Sequence, residues 1–146
     1  MRAHWRLGLL LGLIGLAGGV QAAGTPSPTP APLVYFDIAG PDSAKQTAFY
    51  STIFGWKIGP TGLIGRDSTG VLDGTLRQDP PEKMLYIGVP DVAAALKAVV
   101  AAGGSVDQPR FVVPGVVILG LFHDPAGNRM GLVEMKDGAP IIPPPH

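Results

Sequence analysis

The 146-residue sequence contains no cysteine. Disulfides, thiolate zinc sites, haem attachment through thioethers, a cysteine nucleophile and a cysteine-linked lipid anchor are therefore excluded. Charge is also sparse. Asp, Glu, Lys and Arg make up 15% of the chain, and the eleven basic and eleven acidic residues cancel. No basic stripe is left to track a phosphate backbone, so nucleic acid is not an expected partner. Of three histidines, only His123 lies away from the ends. What is present, 46% apolar residues, is enough for one compact domain and too much for a disordered chain.

The one long uncharged apolar run is at the start, in "MRAHWRLGLLLGLIGLAGGVQAAG". Arg2 and Arg6 precede an uncharged stretch from Leu7 to Val20, and Val20-Gln21-Ala22 has the small or apolar residues of a cleavage site. The run is short for a bilayer span, which needs about 20 residues. The reading is a secretory signal peptide, residues 1–22, cut after Ala22, with export across an inner membrane to a bacterial periplasm and no membrane attachment afterwards. Loss of two arginines leaves nine basic against eleven acidic residues. Residues 23–32, "AGTPSPTPAP", form a Pro-rich extended spacer, and residues 137–146 a Pro-rich tail of similar character. The folded core is placed at 33–136.

Within it a pattern occurs twice. "VYFDIAGPDSAKQTAFYSTIFGWKI" and "LYIGVPDVAAALKAVVAAGGSV" each run from a strand-like start through Pro-Asp into a helix and a closing glycine. Asp42 and Asp91 sit where a helix N-cap belongs, and Gly55 and Gly104 follow each by thirteen residues. Ala44, Ala48, Phe49 and Ile53 give one expected apolar stripe, and Val92, Leu96, Val99 and Val100 the other. Short strand-like segments follow each helix: "WKIG", "GLIGR" and "GVLDGTLR", then "SVDQPRFVV", "VVILGLFH" and "RMGLVEM". The fold class is α+β: two β-α-β-β-β units forming a curled mixed sheet around a cleft, with the helices on its outer face.

Three motifs carry a resemblance. "AFYSTIFGW", "YIGVPDVAAALKAVVAAGGSV" and "HDPAGNRMGLVE" look like the first-helix ending, the second-unit start and the final hairpin of the vicinal oxygen chelate superfamily, which holds glyoxalase I, bleomycin- and fosfomycin-resistance proteins and extradiol dioxygenases. They span nearly all of Leu33 to Glu134. The resemblance implies metal ligands, usually His, Glu or Gln, at matching places on the first and last strands of both units. Here those places hold Leu33 or Tyr35, Met84, Gly131 and a residue between Asp73 and Arg77. At least three lack a competent donor, so no metal and no other cofactor is expected. Relatives with one pair of units per chain often dimerise, which implies a homodimer.

Strand alternation sends Val34, Phe36 and Ile38 toward the first helix and Leu33, Tyr35 and Asp37 toward the cleft. By the same rule Met84, Tyr86 and Gly88 face the cleft, as do Asp73, Thr75, Arg77 and Arg129. The expected ligand-binding set is Tyr35, Asp37, Asp73, Arg77, Met84, Tyr86 and Arg129: aromatic walls with a few polar anchors, suited to a small organic molecule. His123 next to Asp124 reads as a strand-end residue beside a turn, with Asp124 bonding its own turn. The functional expectation is a secreted small-molecule-binding protein. The alternative is a metal-dependent lyase, isomerase or dioxygenase with a metal bound by non-family ligands such as Asp37, Asp73 or His123. A third reading is an accessory or assembly protein with a vestigial cleft.

Overall fold

The structure, a computed structural model, describes residues 29–146, so the expected signal peptide and most of the spacer lie outside the described residues. The first unit comprises β1 (Leu33–Gly40), α1 (Ser43–Phe54), β2 (Leu63–Ile64), a single helical turn α2 (Arg66–Thr69) and β3 (Asp73–Gln78). The second comprises β4 (Glu82–Val89), α3 (Val92–Ala101), β5 (Ser105–Val113), β6 (Val117–His123) and β7 (Arg129–Lys136), followed by a two-residue β8 (Ala139–Pro140). The strands form one mixed sheet in the order β2-β3-β1-β4-β7-β6-β5, with β8 on the end of β7. Each unit pairs its first and last strands in parallel, β1 with β3 and β4 with β7, which requires the helical crossovers. Antiparallel pairing of β1 with β4 joins the two units at the centre.

The second unit has the expected five elements. The first is thinner: "WKIG" contributes only an isolated bridge between Ile58 and Ile64, and "GLIGR" only the two residues of β2. Between β2 and β3 the chain makes the α2 turn instead, with Gly70 in the left-handed conformation closing it.

α3 is pinned firmly. Val92, Leu96, Phe122 and Leu132 form its buried core, and Gly120 lets it come close, since a Cβ there would lie 2.6 Å from Val92 Cγ1. Asp91 caps it by accepting from Ala94 N at 2.8 Å. Val99 packs inward, but Val100 is exposed, so the inward stripe is narrower than expected. At the far end Gly103, not Gly104, carries the positive φ. Gly104 is needed for closeness, because a Cβ would meet Val99 Cγ1 at 2.6 Å and the His123 carbonyl oxygen at 2.7 Å.

α1 overturns the expected stripe. Ala44, Ala48, Phe49 and Ile53 are all exposed, and no residue of the helix is buried. The helix rests instead on the half-buried stripe Gln46, Thr47, Tyr50 and Ser51. The cause lies beneath it. Trp56 and Phe36 cover the sheet with rings 6.1 Å apart, and Tyr50 stacks on Trp56 at 5.1 Å and 11°. Gly40 opens the space that Gln46 fills, since a Cβ there would lie 2.5 Å from Gln46 Nε2. Ile64 and Leu76 complete this smaller core.

A register shift between Leu33 and Tyr35 corrects one facing assignment. Leu33 pairs with Ile87, which packs on the α3 side, so Leu33 does not face the cleft as alternation predicts. The Pro-rich tail is tied down as well: Ile141 N donates to Glu134 O at 2.9 Å and Gly115 N to Pro143 O at 3.0 Å.

Candidate functional site

From Tyr35 onward the central register is regular. Asp37 lies opposite Met84 on one side and Thr75 on the other, and Tyr86 lies between Tyr35 and Gly131. One sheet face therefore gathers side chains from β1, β3, β4, β6 and β7. Across it opens a cleft of about 600 Å³, bounded by Asp37, Arg77, Glu82, Tyr86, Leu121 and Arg129, with the Asp79-Pro80-Pro81 loop at its rim.

Asp37 is at the root of the site and its side chain is 5% exposed. Its Oδ2 accepts from Tyr86 Oη at 2.9 Å and from Arg77 Nε at 3.2 Å. Its Oδ1 has no protein donor. Arg77 also donates from Nη1 to Asp79 and from Nη2 to Glu82, the latter at 2.6 Å. Arg129 Nη1 donates to Glu82 Oε1 at 2.8 Å, while its Nε and Nη2 both reach Asp107 Oδ2 at 2.9 Å. A continuous chain thus runs from Tyr86 through Asp37, Arg77, Glu82 and Arg129 to Asp107. It spans both units.

The proton affinities follow from these contacts. Hydrogen bonds from Arg129, with Arg77 adding to them, hold Glu82 below the usual carboxylate range despite its partial burial. Burial works against the charge of Arg77, but Asp37, Glu82 and Asp79 outweigh it and raise its proton affinity. Burial first, then the adjacent Asp37 carboxylate, push the Tyr86 hydroxyl far above the ordinary phenol range. Tyr35 is raised too, chiefly by burial, with Thr75 pulling back by a hydrogen bond. Both tyrosines therefore stay neutral donors, and both arginines stay charged.

Of the seven residues expected from sequence, Asp37, Arg77, Tyr86 and Arg129 come together on the cleft. Tyr35 packs edge-on against Tyr86, with ring centroids 5.9 Å apart, behind the cleft wall. Met84 is buried beneath. Asp73 is committed elsewhere: its carboxylate accepts from Arg66 N at 3.0 Å and Arg66 Nε at 2.9 Å, fastening α2 to β3. Sequence reasoning missed Asp79, Glu82, Asp107 and Leu121. Glu82 was within reach of the alternation that selects Met84 and Tyr86. Asp107 was not, because it is the extra residue of a β5 bulge between Val106 and Gln108, and a bulge re-aims its side chain.

The donor set does not fit the superfamily's metal. Gly131, the slot on the last strand, lies under the ring of Tyr86: a Cβ at that position would sit 2.1 Å from Tyr86 Cδ1. A longer donor side chain has no room there while Tyr86 holds its place. Tyr35 and Met84, at two other slots, are poor ligands for a hard divalent ion. Among the described residues no three His, Asp or Glu side chains converge in a way that could hold a metal ion. Asp37, Asp73 and His123, expected as alternative ligands, belong to no such cluster either. Nearby Glu134 points to the opposite face, where it accepts from Arg110 Nε at 2.7 Å and Nη2 at 2.8 Å and from Val92 N at 3.2 Å. Asp124 serves its turn, its Oδ1 accepting from Ala126 N and Asn128 N, each at 2.9 Å.

Two β-α-β-β-β units joined edge to edge through their first strands, with one cleft between them, define the vicinal oxygen chelate class of fold. Residues 34–133 match the glyoxalase-like domain family, and the chain belongs to that family. No curated protein sequence gives a significant match. Similar solved structures include a methylmalonyl-CoA epimerase in complex with methylmalonyl-CoA and ammonium, at 15% identity and TM-score 0.54, covering 76% of this chain and 99% of that one. A hypothetical protein from Bacillus halodurans is similar at 14% identity and TM-score 0.58, covering 77% and 100%. A variant of the Streptomyces coelicolor methylmalonyl-CoA epimerase, in complex with 2-nitronate-propionyl-CoA, is similar at 16% identity and TM-score 0.52, covering 70% and 93%. At these identities the likeness is one of fold.

Proposed function

We propose that this chain is an exported protein that binds a small organic molecule in the cleft between its two units, without a metal at the superfamily's usual positions. The observation that carries this reading is the cleft itself: about 600 Å³ in volume, walled by Tyr86 and Leu121, and anchored by the buried Asp37 carboxylate. That volume falls within the range of small-molecule sites, and Tyr86, Leu121, Pro80 and Pro81 give it an apolar wall beside the oriented charged side chains. The filling of the Gly131 slot by the Tyr86 ring supports the metal-free part of the reading. Structural neighbours whose names include bound acyl-CoA compounds support the use of this fold for small ligands. The experiment is amide mapping by two-dimensional NMR with a library of neutral, cationic and anionic small compounds. Binders should perturb the amides of Asp37, Tyr86, Leu121 and Arg129 together. Perturbations scattered elsewhere, or none from any compound, would overturn the reading.

Export and self-association belong to the same proposal. The apolar, cleavable-looking start of the sequence supports export, and the exposed Phe49, Ile53 and Phe54 on α1 support pairing with a second copy. Protein recovered from a periplasmic fraction should begin at Ala23 and give a dimeric mass by light scattering. An intact Met1 there, or a monomeric mass at micromolar concentration, would count against the respective part.

A further inference from the structure

A second hollow lies on the outer face of the sheet, where α3 passes over the edge strand β5. It is an open groove of about 490 Å³. Leu96, Val100, Val106 and Pro109 make it apolar, and its two charged lining residues, Lys97 and Arg110, are both basic. Val100 and Val106 remain 54% and 41% exposed, so the groove holds apolar surface that the fold itself does not cover. It is separate from the cleft, because α3 packs on the opposite side of the sheet, against Phe122 and Leu132.

The charges around this groove are sorted. The β5 bulge turns Asp107 toward the cleft, where it accepts from Arg129, and leaves Val106 and Pro109 on the groove. Arg110 is balanced by Glu134, which takes its Nε and Nη2. Asp91 is engaged at the α3 cap, accepting from Ala94 N. Lys97 is exposed and forms no ion pair among the described residues. A lysine stem can cover apolar surface while its ammonium stays in water. The groove therefore offers an apolar floor and one unmatched positive charge.

We propose that this groove takes a single alkyl chain with an anionic head, a medium-length fatty carboxylate, with its chain against Leu96, Val100, Val106 and Pro109 and its head at Lys97. Removal of the chain from water drives the association. The lysine sets the sign of the head, and because it is exposed the preference is a matter of several-fold rather than many orders. The proposal does not rest on the cleft reading.

The test is an amide-resolved NMR titration of the mature protein with octanoate, octanol and octylammonium, three heads on one chain. Octanoate should saturably perturb the amides of Leu96, Lys97, Val100 and Val106. It should bind about fivefold or more tighter than octylammonium, the contrast that an exposed charge pair supports. Lys97→Glu should reverse that preference, and Lys97→Arg should keep it. Val100→Ser should weaken all three compounds by several-fold. Both positions are exposed, so these variants keep the fold. No binding of octanoate, equal binding of octanoate and octylammonium, or an unchanged preference in Lys97→Glu would overturn the assignment. So would binding to phosphatidylglycerol vesicles in place of free octanoate, the mark of a membrane surface. A light-scattering mass that halves on adding octanoate would show a second copy in the groove and overturn it as well. Perturbation of Asp37, Tyr86, Leu121 and Arg129 instead would overturn it while supporting the cleft reading.

Discussion

Gly131 and Tyr86 show how one residue identity can settle a site. The strand at Gly131 needs no special backbone angle, since its φ is not among the positive ones. What it needs is the missing Cβ, because the Tyr86 ring occupies that space. The ring is held there by the hydroxyl's bond to Asp37 and by its edge contact with Tyr35. Gly131→Ala should therefore destabilise the protein by about 1–3 kcal/mol, as overpacking does, although alanine is otherwise the better strand residue. In a Tyr86→Ala background the same change should be nearly neutral. Chemical denaturation of the four proteins measures this, and an equal effect of Gly131→Ala in both backgrounds would rule out the steric coupling. The glycine itself was visible in the sequence as an unfit metal donor. The ring that makes it necessary was not, because nothing in a single strand's alternation says how far a neighbouring side chain leans.

Among the elements, the two helices repeat one sequence pattern and yet sit differently. α3 presents a true apolar stripe and receives a buried carboxylate, Glu134, at its first amide. α1 presents small and aromatic residues to solvent and lies on the sheet through Gln46 and Tyr50. Apolar spacing alone could not separate the two arrangements in α1. The choice was made by Trp56, beyond the helix end, whose ring offers a flat partner for Tyr50. The Glu134 clamp gives a pH signature. Hydrogen bonds from Arg110 first, with Val92 N also donating, hold the Glu134 carboxyl below the ordinary glutamate value of 4.5. A depressed carboxyl contributes stability that is fully present above that value and is lost as pH falls through the folded-state value. Glu134→Gln should lower stability at neutral pH by about 1–2 kcal/mol, a figure reduced for the partial exposure of Arg110. Thermal unfolding of both proteins across pH should show the gap closing below pH 4.5. A gap unchanged at acid pH would show that Glu134 acts by packing alone.

At the scale of the whole molecule, the duplicated units, the order of elements and the face that lines the cleft were legible in the sequence, because period-two alternation and helix caps are local signals. The network that closes the cleft was only half legible. Asp37, Arg77, Tyr86 and Arg129 follow from alternation. Glu82, Asp79 and Asp107 enter through a loop and a bulge, whose geometry depends on the partner strand. Together these side chains form a self-contained ion-pair chain across the cleft, and the reading proposed above is that the cleft works without a metal. The most direct test is the metal content of the purified mature protein, with thermal unfolding in the presence and absence of Mn²⁺, Ni²⁺, Zn²⁺ and a chelator. A metal that binds only the folded state must raise its apparent stability by mass action. The account predicts no stoichiometric metal and no shift in Tm with micromolar ion or chelator. Stoichiometric metal, or a large ion-dependent rise in Tm, would contradict it.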